Sequence, residues 1–180
     1  MYCSEKNRRG QIWIETVIYT LIAFVLIAAL LGVARPKIEQ LQDKTIIDQS
    51  LGIMKDMHKI LSEISDGGSG NKRVIEVKIN RGSLEVQGEN DTLFFEIEST
   101  YMYSEPGTEI EDGNIIVSTR KRGENYVTSL SENYSSSYNI TYLDSDDSKT
   151  ISTASATYTL FVSNNGKDPA GKTIINFELE

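Results

Sequence analysis

The rhythm of hydrophobic and polar positions along this 180-residue chain changes twice. Across residues 16–34 no side chain is charged. Apolar groups there point in every direction around a helical wheel, as in a helix surrounded by lipid or by other helices. Across residues 46–64 the pattern becomes one-sided. Ile46, Ser50, Ile53, Met57, Ile60 and Ile64 recur at alternating spacings of four and three, and Ile47, Met54 and Leu61 widen the seam. This stripe predicts an amphipathic helix that packs on the chain's own head domain, on neighbouring helices, or on both. Pro36 lies between the two patterns and predicts a kink or break, because it removes one backbone donor.

Asp66-Gly67-Gly68-Ser69-Gly70 ends the helical pattern and predicts a short flexible linker. Beyond it the period falls to two. Ile75, Val77 and Ile79 alternate with Glu76 and Lys78, Asn80-Arg81-Gly82 predicts a turn, and Leu84 and Val86 resume the alternation. Further strands are predicted over residues 92–103, 115–119, 126–130, 138–143, 153–163 and 173–179. Some eight strands without an intervening helix indicate an antiparallel sandwich or a strongly curved sheet. The expected fold class is therefore α+β: a long N-terminal membrane-spanning and amphipathic helix, then an antiparallel β-sandwich-like head. The expected divisions are 1–10 as a leader, 11–35 as the apolar helix, 36–65 as its amphipathic extension, 66–71 as the linker and 72–180 as the head.

Charge sharpens this division. The formal net charge of -8 falls wholly on residues 71–180, because residues 1–70 carry eight basic and eight acidic groups. An acidic head lacks the basic footprint of general nucleic-acid binding, so no nucleic-acid partner is expected. Lys6, Arg8 and Arg9 precede the apolar run and predict a cytoplasmic N-terminus with the head outside. The apolar run matches the roughly 20 residues needed to span hydrocarbon, and charged helical sequence follows it instead of a secretory cleavage site. Cys3 is the single cysteine and reads as incidental, so no disulfide staples the head.

One acid interrupts the N-terminal pattern. Arg8-Arg9-Gly10, then Gln11 and Glu15, lead directly into the apolar helix. Ionised groups at membrane depth are costly and usually functional. This segment resembles the class III signal peptide of archaeal type IV pilins, in the subset that begins with Gln and carries the glutamate. The resemblance covers roughly residues 6–64. It departs from the family pattern at Trp13, where the family has a small hydroxyl residue, and at Tyr19, near which the family has Leu. The resemblance implies that a prepilin peptidase cuts between Gly10 and Gln11. It also implies that Glu15 meets the new N-terminal ammonium of a neighbouring subunit, and that an assembly platform builds a homo-oligomeric surface filament. On this expectation the protein is a major or minor pilin, membrane-inserted before assembly and displayed at the cell surface afterwards for adhesion or surface contact. The alternative is a single-pass anchored β module that binds a ligand without polymerising. The simpler account of Glu15 is an interfacial acid that snorkels to the headgroups beside Trp13.

The remaining candidates are weaker. Asn90, Asn133 and Asn139 open N-glycosylation sequons on the expected outer side, and each pattern also arises by chance. Asp144-Ser145-Asp146-Asp147 clusters three carboxylates but lacks the spacing of a calcium loop, so a solvated turn is expected and no metal is assigned. Arg120-Lys121-Arg122-Gly123 predicts a basic hairpin tip in an acidic domain. His58, the lone histidine, falls in the amphipathic helix and reads as a surface residue. No Gly-rich phosphate loop, metal cluster or Ser/His/Asp set is present, so neither an enzyme nor a cofactor is expected.

Overall fold

The computed structural model describes the backbone of residues 6–180 and the side chains of residues 13–180. One helix, α1 (Lys6–Asp66), is followed by ten strands. They are β1 (Lys72–Val77), β2 (Ser83–Gln87), β3 (Thr92–Ser99), β4 (Glu109–Asp112), β5 (Ile115–Arg122), β6 (Asn125–Asn133), β7 (Tyr138–Tyr142), β8 (Ser148–Ser152), β9 (Tyr158–Lys167) and β10 (Thr173–Leu179). The chain divides into two compact units, Met1–Leu41 and Gln42–Glu180.

In the first unit the described side chains of residues 13–39 are all exposed. The helix is long and apolar enough to cross a membrane, and none of its most apolar stretch is buried by the chain itself. Pro36 does not break it: α1 remains helical on both sides. Loss of a single backbone hydrogen bond is tolerated when the flanking turns continue, as in many membrane helices.

The second unit is a β-sandwich-like head. One sheet has the order β1-β9-β10-β7 and the other β4-β5-β6-β3-β2-β8. All pairings between named strands are antiparallel except β10 with β7, where Ile175 faces Ile140 in parallel register. Alternation sends Leu84 and Val86 of β2, Leu93, Phe95 and Ile97 of β3, and Ile115 and Val117 of β5 inward. Strand β10 buries Ile175, Asn176 and Phe177 in succession. Asn176 is satisfied there, its Oδ1 accepting from the Thr141 hydroxyl at 3.1 Å and from the Asp144 N–H at 2.8 Å.

Residues 42–66 of α1 belong to this unit, and their stripe is core. Ile47, Leu51, Met54, Met57, Leu61 and Ile64 form one buried cluster with residues of both sheets, such as Phe95, Leu130, Val162 and Phe177. The seam expected from spacing is rotated by part of a turn. Ile46, Ile53 and Ile60 are only partly buried flanks, while Ile47, Leu51, Met54 and Leu61 take the centre. The segment after the helix is also tied rather than loose. The Gly67 N–H donates to the Glu63 carbonyl at 3.1 Å, and the Gly70 N–H donates to the Asn164 carbonyl at 2.8 Å. Gly68 at φ 78° reverses the chain in a backbone region that disfavours side chains.

Two strands escaped the alternation pattern. Strand β4 (Glu-Ile-Glu-Asp) is almost wholly polar, and β8 supplies one buried side chain, Ile151. The expected turn at residues 80–82 is present. A Cβ on Gly82, at φ 86°, would strike the Glu96 carbonyl, so β2 and β3 meet here only because glycine has none.

Candidate functional site

Three places hold the candidate chemistry. The first is the start of the apolar helix. Helical spacing stacks Tyr19 one turn beyond Glu15, and the phenol donates to Glu15 Oε1 at 3.4 Å. That bond is long and exposed, so the carboxylate keeps most of its capacity for an outside cation. The exposed Thr20 hydroxyl donates back to the Thr16 and Val17 carbonyls, each at 2.9 Å. Cys3 and the side chains at the expected Gly10–Gln11 cut lie outside the described residues.

The second place is a cleft in the head. Inward alternation on β6 carries Thr128, Leu130 and finally Glu132 toward α1, where His58 lies on the same side as Met54 and Leu61. Glu132 is 2% exposed, and its Oε1 lies 2.6 Å from His58 Nδ1. The ring nitrogen is not aligned for a hydrogen bond despite that closeness. Glu132 Oε2 and the Tyr134 hydroxyl are buried beside one another, and neither has a well-aligned hydrogen-bond partner among the described residues. Burial first, and the neighbouring Glu132 charge second, push the Tyr134 phenol well above its ordinary range. Its ring stacks on His58 with centroids 6.0 Å apart. Asn114 Nδ2 lies 3.3 Å from His58 Nε2.

Lys55, His58, Asp112, Asn114, Ile115 and Glu132 line a cavity of about 280 Å³, and Lys55 closes one side by an ion pair to Asp112 at 2.7 Å. An adjoining hollow of about 440 Å³ shares His58, Asn114 and Glu132 and extends past Glu111, Ser136 and Ser137. A histidine beside a carboxylate is half of a general-base arrangement, but the outer ring nitrogen faces an amide rather than a nucleophilic hydroxyl. Among the described residues no cluster of three or more His, Cys, Asp or Glu side chains could hold a metal. Spacing alone left His58 as a surface residue. Its partner lies 74 positions away, and no local pattern links the two. The signal present in the sequence was an acid at an inward position of β6.

A second buried carboxylate is fully satisfied. Asp43 ion-pairs with Arg81 and accepts from the Thr100 N–H at 2.6 Å and the Thr100 hydroxyl at 2.8 Å. Burial alone would raise its pKa. The Thr100 hydrogen bonds and Arg81 outweigh burial and hold the carboxyl below its usual range. This is a clamp between α1 and the strand ends rather than a reactive group.

The third place is the set of sequons. Asn90 is exposed in the 3-10 turn Gly88–Asn90. The Asn133 amide is occupied, donating to the Asn90 carbonyl at 3.1 Å and the Thr92 hydroxyl at 2.9 Å, while its Oδ1 accepts from the Ser135 N–H at 3.0 Å. Asn139 is half-buried on β7, opposite Ile174. The acidic loop is internally bonded: the Ser145 hydroxyl donates to Asp147, and Asn165 donates to Asp144. The basic triplet does form a hairpin tip, with Arg122 opposite Asn125. Comparison with protein-family models, with curated proteins and with solved structures finds no match.

Proposed function

We propose that this chain is a structural subunit of an archaeal type IV pilus-like surface filament, major or minor, and not an enzyme. The observation that carries the reading is an apolar helix with every described side chain from residue 13 to 39 exposed, entered through the acid Glu15 just ahead of the uncharged run of residues 16–34. So large an apolar surface requires a cover. Lipid provides one before assembly, and neighbouring helices provide an equally apolar one afterwards. Glu15 then has a task that lipid cannot give it: it neutralises the ammonium that cleavage after Gly10 creates on an adjacent subunit. The prepilin peptidase and an assembly platform are the partners this implies, with the head outside the cell. The exposed Asn90 is the sequon best placed for a glycan.

N-terminal sequencing of the native protein, together with electron microscopy of cells with and without it, tests the proposal. The expected result is a mature chain beginning at Gln11 and filaments that vanish on deletion. A protein that keeps residues 1–10 and leaves cells without filaments would establish the anchored binding module instead.

A further inference from the structure

Between Thr20 and Arg35 the helix of the first unit carries no polar side chain. Just before that stretch, Glu15 and Tyr19 are one turn apart, and so are Thr16 and Thr20, so these four polar residues share one side of the helix. The two hydroxyls near its apolar end are satisfied in different ways. The Thr20 hydroxyl turns back onto the Thr16 and Val17 carbonyls, the usual resort of a threonine within a helix. A phenol stands too far from its own helix backbone for that, and the Tyr19 O–H donates to Glu15 Oε1 instead, at 3.4 Å. Tyr19 is 63% exposed, so in the chain by itself water competes for this bond. An apolar cover removes that competitor. A hydroxyl without an acceptor is then costly, and Glu15 is the acid within one turn of Tyr19.

We infer that Tyr19 is a positioning residue for Glu15: its O–H holds one carboxylate oxygen and leaves the other for the ammonium of the neighbouring subunit. The inference rests on the filament reading and deepens it by naming what aims the acid. Glutamate is long and flexible, and ordering it during assembly costs conformational entropy. A bond already made to a stiff aromatic side chain lowers that cost, which is preorganisation. The same bond strengthens when neighbouring helices exclude water, because a low dielectric strengthens hydrogen bonds. Tyr19 lies about 6 Å further along the helix than Glu15. The phenol therefore takes the apolar side of the carboxylate, and the opposite side stays open to a cation. The resemblance to pilins does not supply this donor, since near Tyr19 the family pattern has Leu, which cannot donate.

The test counts filaments per cell by electron microscopy, at matched processed protein, for the full-length chain and its Tyr19→Phe and Tyr19→Gln variants. Phenylalanine keeps the ring and loses the donor. Glutamine loses the ring but keeps a donor that reaches one turn back. Tyr19→Phe should lower the count about three- to tenfold, as expected for one lost hydrogen bond, and Tyr19→Gln should lie closer to wild type than Tyr19→Phe does. A ring that merely packs predicts the reverse order, and that order would overturn the inference, as would an equal loss in both variants. Filaments unaffected by Tyr19→Phe would remove the inference alone and leave the filament reading intact. Wild-type cells without filaments would remove both.

Discussion

Residues 13–41 and 42–66 belong to the same helix, yet the chain surrounds them differently. Side chains of residues 13–39 are exposed all round. Beyond residue 42, Ile47, Met54, Met57, Leu61 and Ile64 are completely buried in the head core, and Asp43 is clamped by Arg81 and Thr100. Helix propensity does not separate the two stretches. What separates them is whether the chain supplies its own apolar cover. The first stretch is long and apolar enough to cross a membrane and is not covered by the chain itself, so its side chains do not bear on the folding of the head. The second is a structural part of the head, so its side chains bear on folding.

The largest effect that would break this comparison comes from deleting the second stretch. A fragment of residues 71–180 should not fold, because it loses six core side chains. At about 1.5–3 kcal/mol each, that loss is comparable with the whole stability of a domain. A fragment beginning at Gln42 should fold to a sheet-rich protein indifferent to reductant. Circular dichroism and thermal melting check both, and a folded 71–180 fragment would place the helix outside the core. On the proposed filament reading, Glu15→Gln should leave head stability unchanged but cut filaments per cell roughly tenfold or more at matched processed protein, because the neighbour's ammonium would lose its counter-ion. Equal filament counts would return Glu15 to an interfacial role.

Met54→Ala should cost the head about 2–5 kcal/mol, whereas Leu26→Ala, exposed in the first stretch, should change head stability by less than about 0.5 kcal/mol. Denaturant titration of the detergent-solubilised chain separates the two. The smallest effect concerns pH. The Asp43 carboxyl is held below its ordinary value in the folded head. Its contribution is therefore complete above the unfolded carboxylate range, near pH 4, and is lost as pH falls through the lower folded value. Asp43→Asn should destabilise the head by roughly 1–3 kcal/mol at neutral pH and flatten the acid limb of its stability curve. An unchanged acid limb would show that other carboxylates govern it.

Local repetition made some of this legible and distance hid the rest. The uncharged run of residues 16–34, the one-sided stripe after residue 46 and the period-two alternation from Ile75 onward are properties of neighbours in sequence. They determined the long helix, the change in its surroundings and the sandwich-like head. The Arg-Arg-Gly and Glu15 arrangement likewise carried the filament hypothesis without any coordinates. Tertiary structure alone decided which edge of the stripe is central, because that depends on where two sheets offer space. It decided the parallel pairing of β10 with β7, which joins segments more than thirty residues apart. It gave β4 and β8 their strand character through hydrogen bonds to β5 and β2 rather than through their own apolar pattern. It also placed His58 against Glu132 and Asp43 against Arg81, across separations of 74 and 38 residues. Burial of a charge is set by what the folded chain brings around it, and no spacing within one element encodes that.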